Sequence, residues 1–180
     1  YKILIKHFNK LPFDLKKKYY LNHLMPKNVN DAGNPLSIYE YLMIYLGQNP
    51  IQLTQIDINK INNKKKVYEI IKNEPHIPHI ITIERFENEK EDLKLEYKFG
   101  KYKYKLDSVI LRDISKEHFS AYVTINKKQF RFDGESFKRL KKFKWKQHIN
   151  NESKTWQNTN VWDTPFNFIK GYGLYFYYRV

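Results

Sequence analysis

Apolar positions change their period along this chain. In the first third they fall three and four residues apart, and "PFDLKKKYYLNHL" and "PLSIYEYLMIYLG" both carry the spacing of an amphipathic helix. In the second of these, Leu36, Tyr39, Leu42, Met43 and Leu46 share one face, Pro35 stands near its start and Gly47 near its end. The polar loop "KNVNDAGN" leads into it, and the later stretch "TQIDINKINNKKKVYEIIKN" predicts one or two short helices. From Ile77 onward the apolar segments are short, β-branched and aromatic: "IPHIITIERF", "KLEYKFGKYKYKL", "DSVILRD", "HFSAYVTI", "KQFRFDG" and "GYGLYFYYRV". Turn residues separate several of them, which predicts a largely antiparallel sheet. Between Phe137 and Trp145, "FKRLKKFKW" reads as a short basic amphipathic segment, and the loop-like "QHINNESKTWQNTN" follows.

Helices first and strands afterwards predict an α+β domain. A length of 180 residues fits one compact domain, with a helical part over residues 1–75 and a sheet-rich part over residues 76–180. No internal repeat or low-complexity linker interrupts it.

Charge adds a class of partner. The chain has 33 Lys and Arg against 19 Asp and Glu, a net +14, which points to a nucleic acid, an acidic protein or an anionic surface. The dominance of Lys, Asn, Ile and Tyr is also what codon bias in an AT-rich genome produces, and a virus or pathogen is among the sources this allows. Apolar runs such as "YLMIYLG" fall well short of the roughly 20 residues that cross a bilayer. The expectation is therefore no membrane insertion and an intracellular location, in the cytoplasm or the nucleus.

There is no cysteine, which excludes disulfides, thiolate zinc sites and a native thiol nucleophile in this sequence. His76 and His79 stand three apart but lack a third ligand at suitable spacing, and no glycine-rich phosphate loop is present, so neither a metal nor a cofactor is expected. The remaining candidate chemistry is a pair. His118 opens "HFSAYVTI" and Asp133 closes "KQFRFD", two strands joined by "NKK", so a hairpin would bring imidazole and carboxylate close together.

Several segments, in order, resemble the ubiquitin-specific protease family, the papain-like cysteine proteases that remove ubiquitin. "IPHIITIERFENEK" is similar to that family's "LPxxLxIxLxRF", through Ile77, Pro78, Ile81, Ile83, Arg85 and Phe86. "YKLDSVILRDISKEHFSAYV" resembles "YxLxaVxxHxGxxxxGHYxaYv", through Tyr104, Leu106, Val109, His118, Phe119, Ala121, Tyr122 and Val123. "QFRFDGESF" resembles "WyxFDDxxV", and "GYGLYFYYR" resembles the closing "AYxLFYxR". Together they cover residues 77 to 179. Glu117 replaces the usual Gly before the histidine, Phe119 the usual Tyr after it, and Gly134 the second Asp.

The resemblance implies a papain-like core without a zinc fingers subdomain, since fingers need paired cysteines. It also implies His118 as base, Asp133 as the residue that orients it, and ubiquitin or a ubiquitin-like protein as partner. The family's nucleophile motif, "NxGNTCYxNSxxQxL", is matched by "NVNDAGNPLSIYEYL". Setting Asn28 against the oxyanion-hole Asn puts Gly33 at the cysteine position; shifting by one puts Ala32 there, with Asn30 two residues before it. Neither residue can attack a carbonyl. Two readings of function follow. One is a deubiquitinase-like scaffold whose nucleophile has been lost or replaced, by engineering or by nature. The other is a non-catalytic binding module for a protein or RNA, with a structural role in a larger assembly as a further variant.

Overall fold

A computed structural model describes residues 53–116, 118–134, 139–158 and 165–180. The chain divides into two compact units, residues 1–50 and 51–180. The two helices predicted in the first third belong to the first unit and lie outside the described residues.

The second unit is α+β, with sheet predominating. Its elements run β1 (Leu53–Asp57), α1 (Ile58–Ile61), α2 (Lys64–Asn73), β2 (Ile80–Arg85), β3 (Glu96–Phe99), β4 (Tyr102–Arg112), β5 (Phe119–Ile125) and β6 (Lys128–Phe132). There follow β7 (Lys141–Lys142), a single 3-10 turn (Trp145–His148), β8 (Trp156–Gln157), β9 (Pro165–Phe166) and β10 (Gly173–Arg179). Where the polar stretch predicts one or two short helices, two form, α1 and α2. Each starts on a side-chain cap: Asp57 Oδ1 accepts from Asn59 N at 2.9 Å, and Asn63 Oδ1 from Lys66 N at 3.1 Å. The helix α2 buries Val67 and Ile71, one turn apart on the apolar stripe.

One sheet holds eight of the described strands, in the order β1-β2-β10-β4-β5-β6-β7, with β3 paired to the first half of β4. All pairings in it are antiparallel except β1 with β2, which α1 and α2 connect as a parallel crossover. Two expected strands, in "KYKYKL" and "DSVILRD", are continuous in β4. A register shift opposite Phe176 and Tyr177 leaves Asp107 as the extra residue, so a bulge stands where the sequence suggests a break. The basic segment "FKRLKKFKW" is not α-helical where it is described. Lys141 and Lys142 pair with Arg131 and Phe130 at the sheet edge, and Phe143 N and Lys146 N bond to the carbonyl and side chain of Gln129 at 3.0 and 2.9 Å. Those pairings take the donors that a helix would have used.

The registers align one face of the sheet as Ile56, Ile83, Tyr175, Val109, Tyr122 and Arg131. The first five of these are fully buried. Against this face lie Trp145, Phe166 and Phe168, with Phe168 centred 5.1 Å from both Tyr122 and Trp156. Tyr122 and Trp156 cross edge to face at 5.7 Å, and Trp156 Nε1 donates to Tyr122 Oη at 3.0 Å. Gly171 lets the chain pass close to the end of β4, since a Cβ there would come within 2.3 Å of Arg112 O. Next to it, Arg112 N donates to Tyr172 O at 2.7 Å, fixing the strand end from which the His118 loop departs.

Candidate functional site

The loop between β4 and β5 is built on Asp113, a buried residue whose carboxylate acts locally. Its Oδ2 accepts from Ser115 N at 2.9 Å and its Oδ1 from His118 N at 2.7 Å, while Asp113 N donates to His118 O at 2.9 Å. The Asx-type turn so formed carries Lys116 at positive φ (67°) and delivers His118 to the first position before β5. His118 therefore shares the core-side face with Ser120 and Tyr122, two and four residues on.

The second hairpin supplies the partner. Its turn has Asn126 and Lys127 both at positive φ (49° and 64°), a twist that suits tight hairpins. Ala121 then lies opposite Phe132, which puts Asp133 across from Ser120 and diagonal to His118. His118 Nε2 is 2.8 Å from Asp133 Oδ1. Asp133 is buried (1 % exposed), and its Oδ2 accepts from Asn158 Nδ2 at 2.9 Å. Asn158 Nδ2 also reaches Ser120 Oγ at 2.9 Å, Ser120 Oγ donates to Phe132 O at 3.0 Å, and Arg131 Nη1 donates to Asn158 Oδ1 at 3.0 Å. Phe166 meets the imidazole edge to face, 6.3 Å between centroids.

Chemically, this is an imidazole oriented by a buried carboxylate that is itself held by an amide. A carboxylate can only accept, so with Asp133 ionised the contact requires Nε2–H to donate the hydrogen bond, and the matching tautomer has Nδ1 as its basic nitrogen. Such a group can take a proton from an acid brought to Nδ1. The structure thus brings together His118 and Asp133. Asn28, Ala32 and Gly33 lie outside the described residues. Asn158, Ser120 and Asp113 complete the network without having been singled out in the sequence. Asp113 had a local signal, the Asp-x-Ser spacing of an Asx turn. Asn158 had none, since only the fold brings Gln157 and Asn158 against β6.

Electrostatics divide the surroundings. On the core side, burial raises the Tyr122 hydroxyl well beyond its usual range, so it stays neutral while bonded to Trp156. Towards β7, Arg131 lies over the Phe143 ring at 5.0 Å, joining the Asp133 network to the basic edge of the sheet. Among the described residues no group of three or more His, Asp or Glu side chains is placed to hold a metal ion. Nor, among them, is any helix long and apolar enough to cross a membrane.

No protein-family model matches this chain, and no curated protein sequence matches it. Among solved structures, a crystal structure of an essential yeast splicing factor is similar at a TM-score of 0.36 and 15% identity, covering 84% of this chain and 33% of that one. The chain thus spans about a third of the length of that structure. The resemblance to the ubiquitin-specific protease family is accordingly corrected, since neither a family model nor a relative supports it. A physical reason lies in the matched positions themselves. Ile81, Ile83, Tyr104, Leu106, Val109 and Tyr122 are all buried in the sheet, and alternation of large apolar residues is what any half-buried antiparallel sheet imposes.

Proposed function

We propose that this chain is a non-catalytic binding module for an anionic macromolecule, built on a scaffold that retains an oriented His–Asp pair. The observation that carries the reading is the complete absence of cysteine in a chain whose His118 and Asp133 are arranged as a thiol-activating pair would be. The surplus of 33 basic over 19 acidic residues supplies the attraction. The test compares hydrolysis of a panel of peptide and ester substrates by this chain and by His118→Ala, alongside titration with anionic polymers. The expected result is turnover indistinguishable between the two proteins and saturable, salt-sensitive polymer binding by both. Turnover that His118→Ala abolishes would sink it.

A further inference from the structure

The sheet face opposite the core has no account yet at its β5–β6–β7 end. The registers place Phe119, Ala121, Val123 and Ile125 of β5 beside Lys128, Phe130 and Phe132 of β6, with Lys142 of β7 across from Phe130. Phe119, Ile125 and Phe132 are 40%, 45% and 38% exposed, and Phe130 is half-buried. No ring contact among the described residues involves Phe119, Phe130 or Phe132, in contrast to the aromatics of the other face. Phe130 and Phe132 therefore stand about 7 Å apart along one strand with unstacked rings.

By register Lys128 and Lys142 share this face with the rings. At the hairpin end, on the sheet edge, a cleft of about 400 Å³ is lined by Lys127, Lys128, Lys142 and Lys144 and reaches round to Gln129 and Phe143 of the core side. None of those four lysines enters an ion pair among the described residues. The strands β5, β6 and β7 carry no carboxylate at all, and Asp133, just past β6, is buried against His118. On the neighbouring strand, Asp107 is coupled to Lys146. All four lysines are exposed, so their charge is open to an anionic partner.

We infer that this face binds single-stranded nucleic acid, with the phosphates on Lys127, Lys128, Lys142 and Lys144 and unpaired bases on Phe119, Phe130 and Phe132. The inference rests on the binding-module reading and names its partner. Lysines alone would suit any polyanion. Flat rings exposed at alternate strand positions suit bases, because every base offers a π face, whereas an acidic peptide has no use for them. The ring of Phe143 takes no part, since Arg131 covers one side and His148 stacks on it at 5.6 Å.

The test is fluorescence anisotropy of short labelled oligouridylate, oligodeoxythymidylate and polyglutamate across a salt series, with the parent chain, Phe119→Ala, Phe132→Ala and Lys128→Glu/Lys142→Glu. Four phosphate contacts should give a slope of log affinity on log salt of about −3 for a single strand. Each phenylalanine variant should bind the oligonucleotides about tenfold more weakly. Both rings are exposed, and an unchanged urea midpoint confirms that these variants fold. Preference for RNA over DNA, or equality, distinguishes the two strands within the inference. Oligonucleotide affinity untouched by either phenylalanine variant overturns it, as does polyglutamate bound as tightly as the oligonucleotides; the binding-module reading survives both. Binding of none of the three ligands overturns the inference and that reading together.

Discussion

His148 shows how one side chain can couple this fold to pH. It stacks on Phe143, lies 6.4 Å from the Trp156 ring, and contacts Gln147 Nε2 through its own Nε2 at 3.1 Å, while its Nδ1 is buried without a hydrogen-bond partner. Burial, and after it the charge of Lys154, lowers the imidazole pKa below its usual value, so the folded chain holds it neutral. A base whose folded pKa is depressed contributes stability above its unfolded pKa of about 6.5, and that contribution is lost as pH falls below it. The expected outcome is a urea midpoint that declines as pH is lowered from about 7 to 5, with a visibly flatter profile for His148→Phe. An identical slope in the two proteins would show that protonation of this residue is not felt by the fold.

At the scale of elements, Arg85 ties the end of β2 to two segments that have no regular structure of their own. It is fully buried, and its guanidinium donates to Glu91 O, to Ile149 O at 2.7 Å and to Asn150 Oδ1 at 3.3 Å, with the Tyr175 ring 5.6 Å away. Among the described residues no carboxylate pairs with it, and the charge is met by carbonyl and amide dipoles. Arg85→Met should destabilise by about 3 kcal/mol or more, because it strands those acceptors and leaves a gap beside Tyr175. Equilibrium urea unfolding measures it, and a loss under about 1 kcal/mol would mean the segments hold without the clamp.

Much of this layer was legible beforehand. The α+β class, the two short helices and the strands β2, β5, β6 and β10 follow from period and turn residues, and so does the diagonal approach of Asp133 to His118. What stayed hidden has a common physical cause. The strand β1 lies within a polar helical-looking run and is set by its parallel pairing with Ile80 to Glu84. The segment around Lys141 has a helical period, but pairing with β6 overrides it. Asn158 enters the site only because the aromatic cluster anchors Trp156 two residues before it. Each depends on a contact distant in sequence, and local patterning does not report such contacts. The family resemblance went wrong for the converse reason: alternation in a buried sheet is shared by unrelated proteins.

At the scale of the whole sheet, charge and apolar surface are sorted among the described residues. One sheet face is an aromatic core that also buries the Asp133 network; the other exposes phenylalanines framed by lysines along a single edge. That segregation means a partner can be held on the exposed face while the buried face keeps its packing. The strand order has a further consequence, in time rather than in space. The strand β10 sits between β2 and β4, yet follows both in the chain, the former by almost ninety residues. During synthesis β2 and β4 emerge with a gap between them that β10 fills. Until β10 emerges their facing edges are open to any other extended chain, which exposes a ribosome-bound intermediate to mispairing.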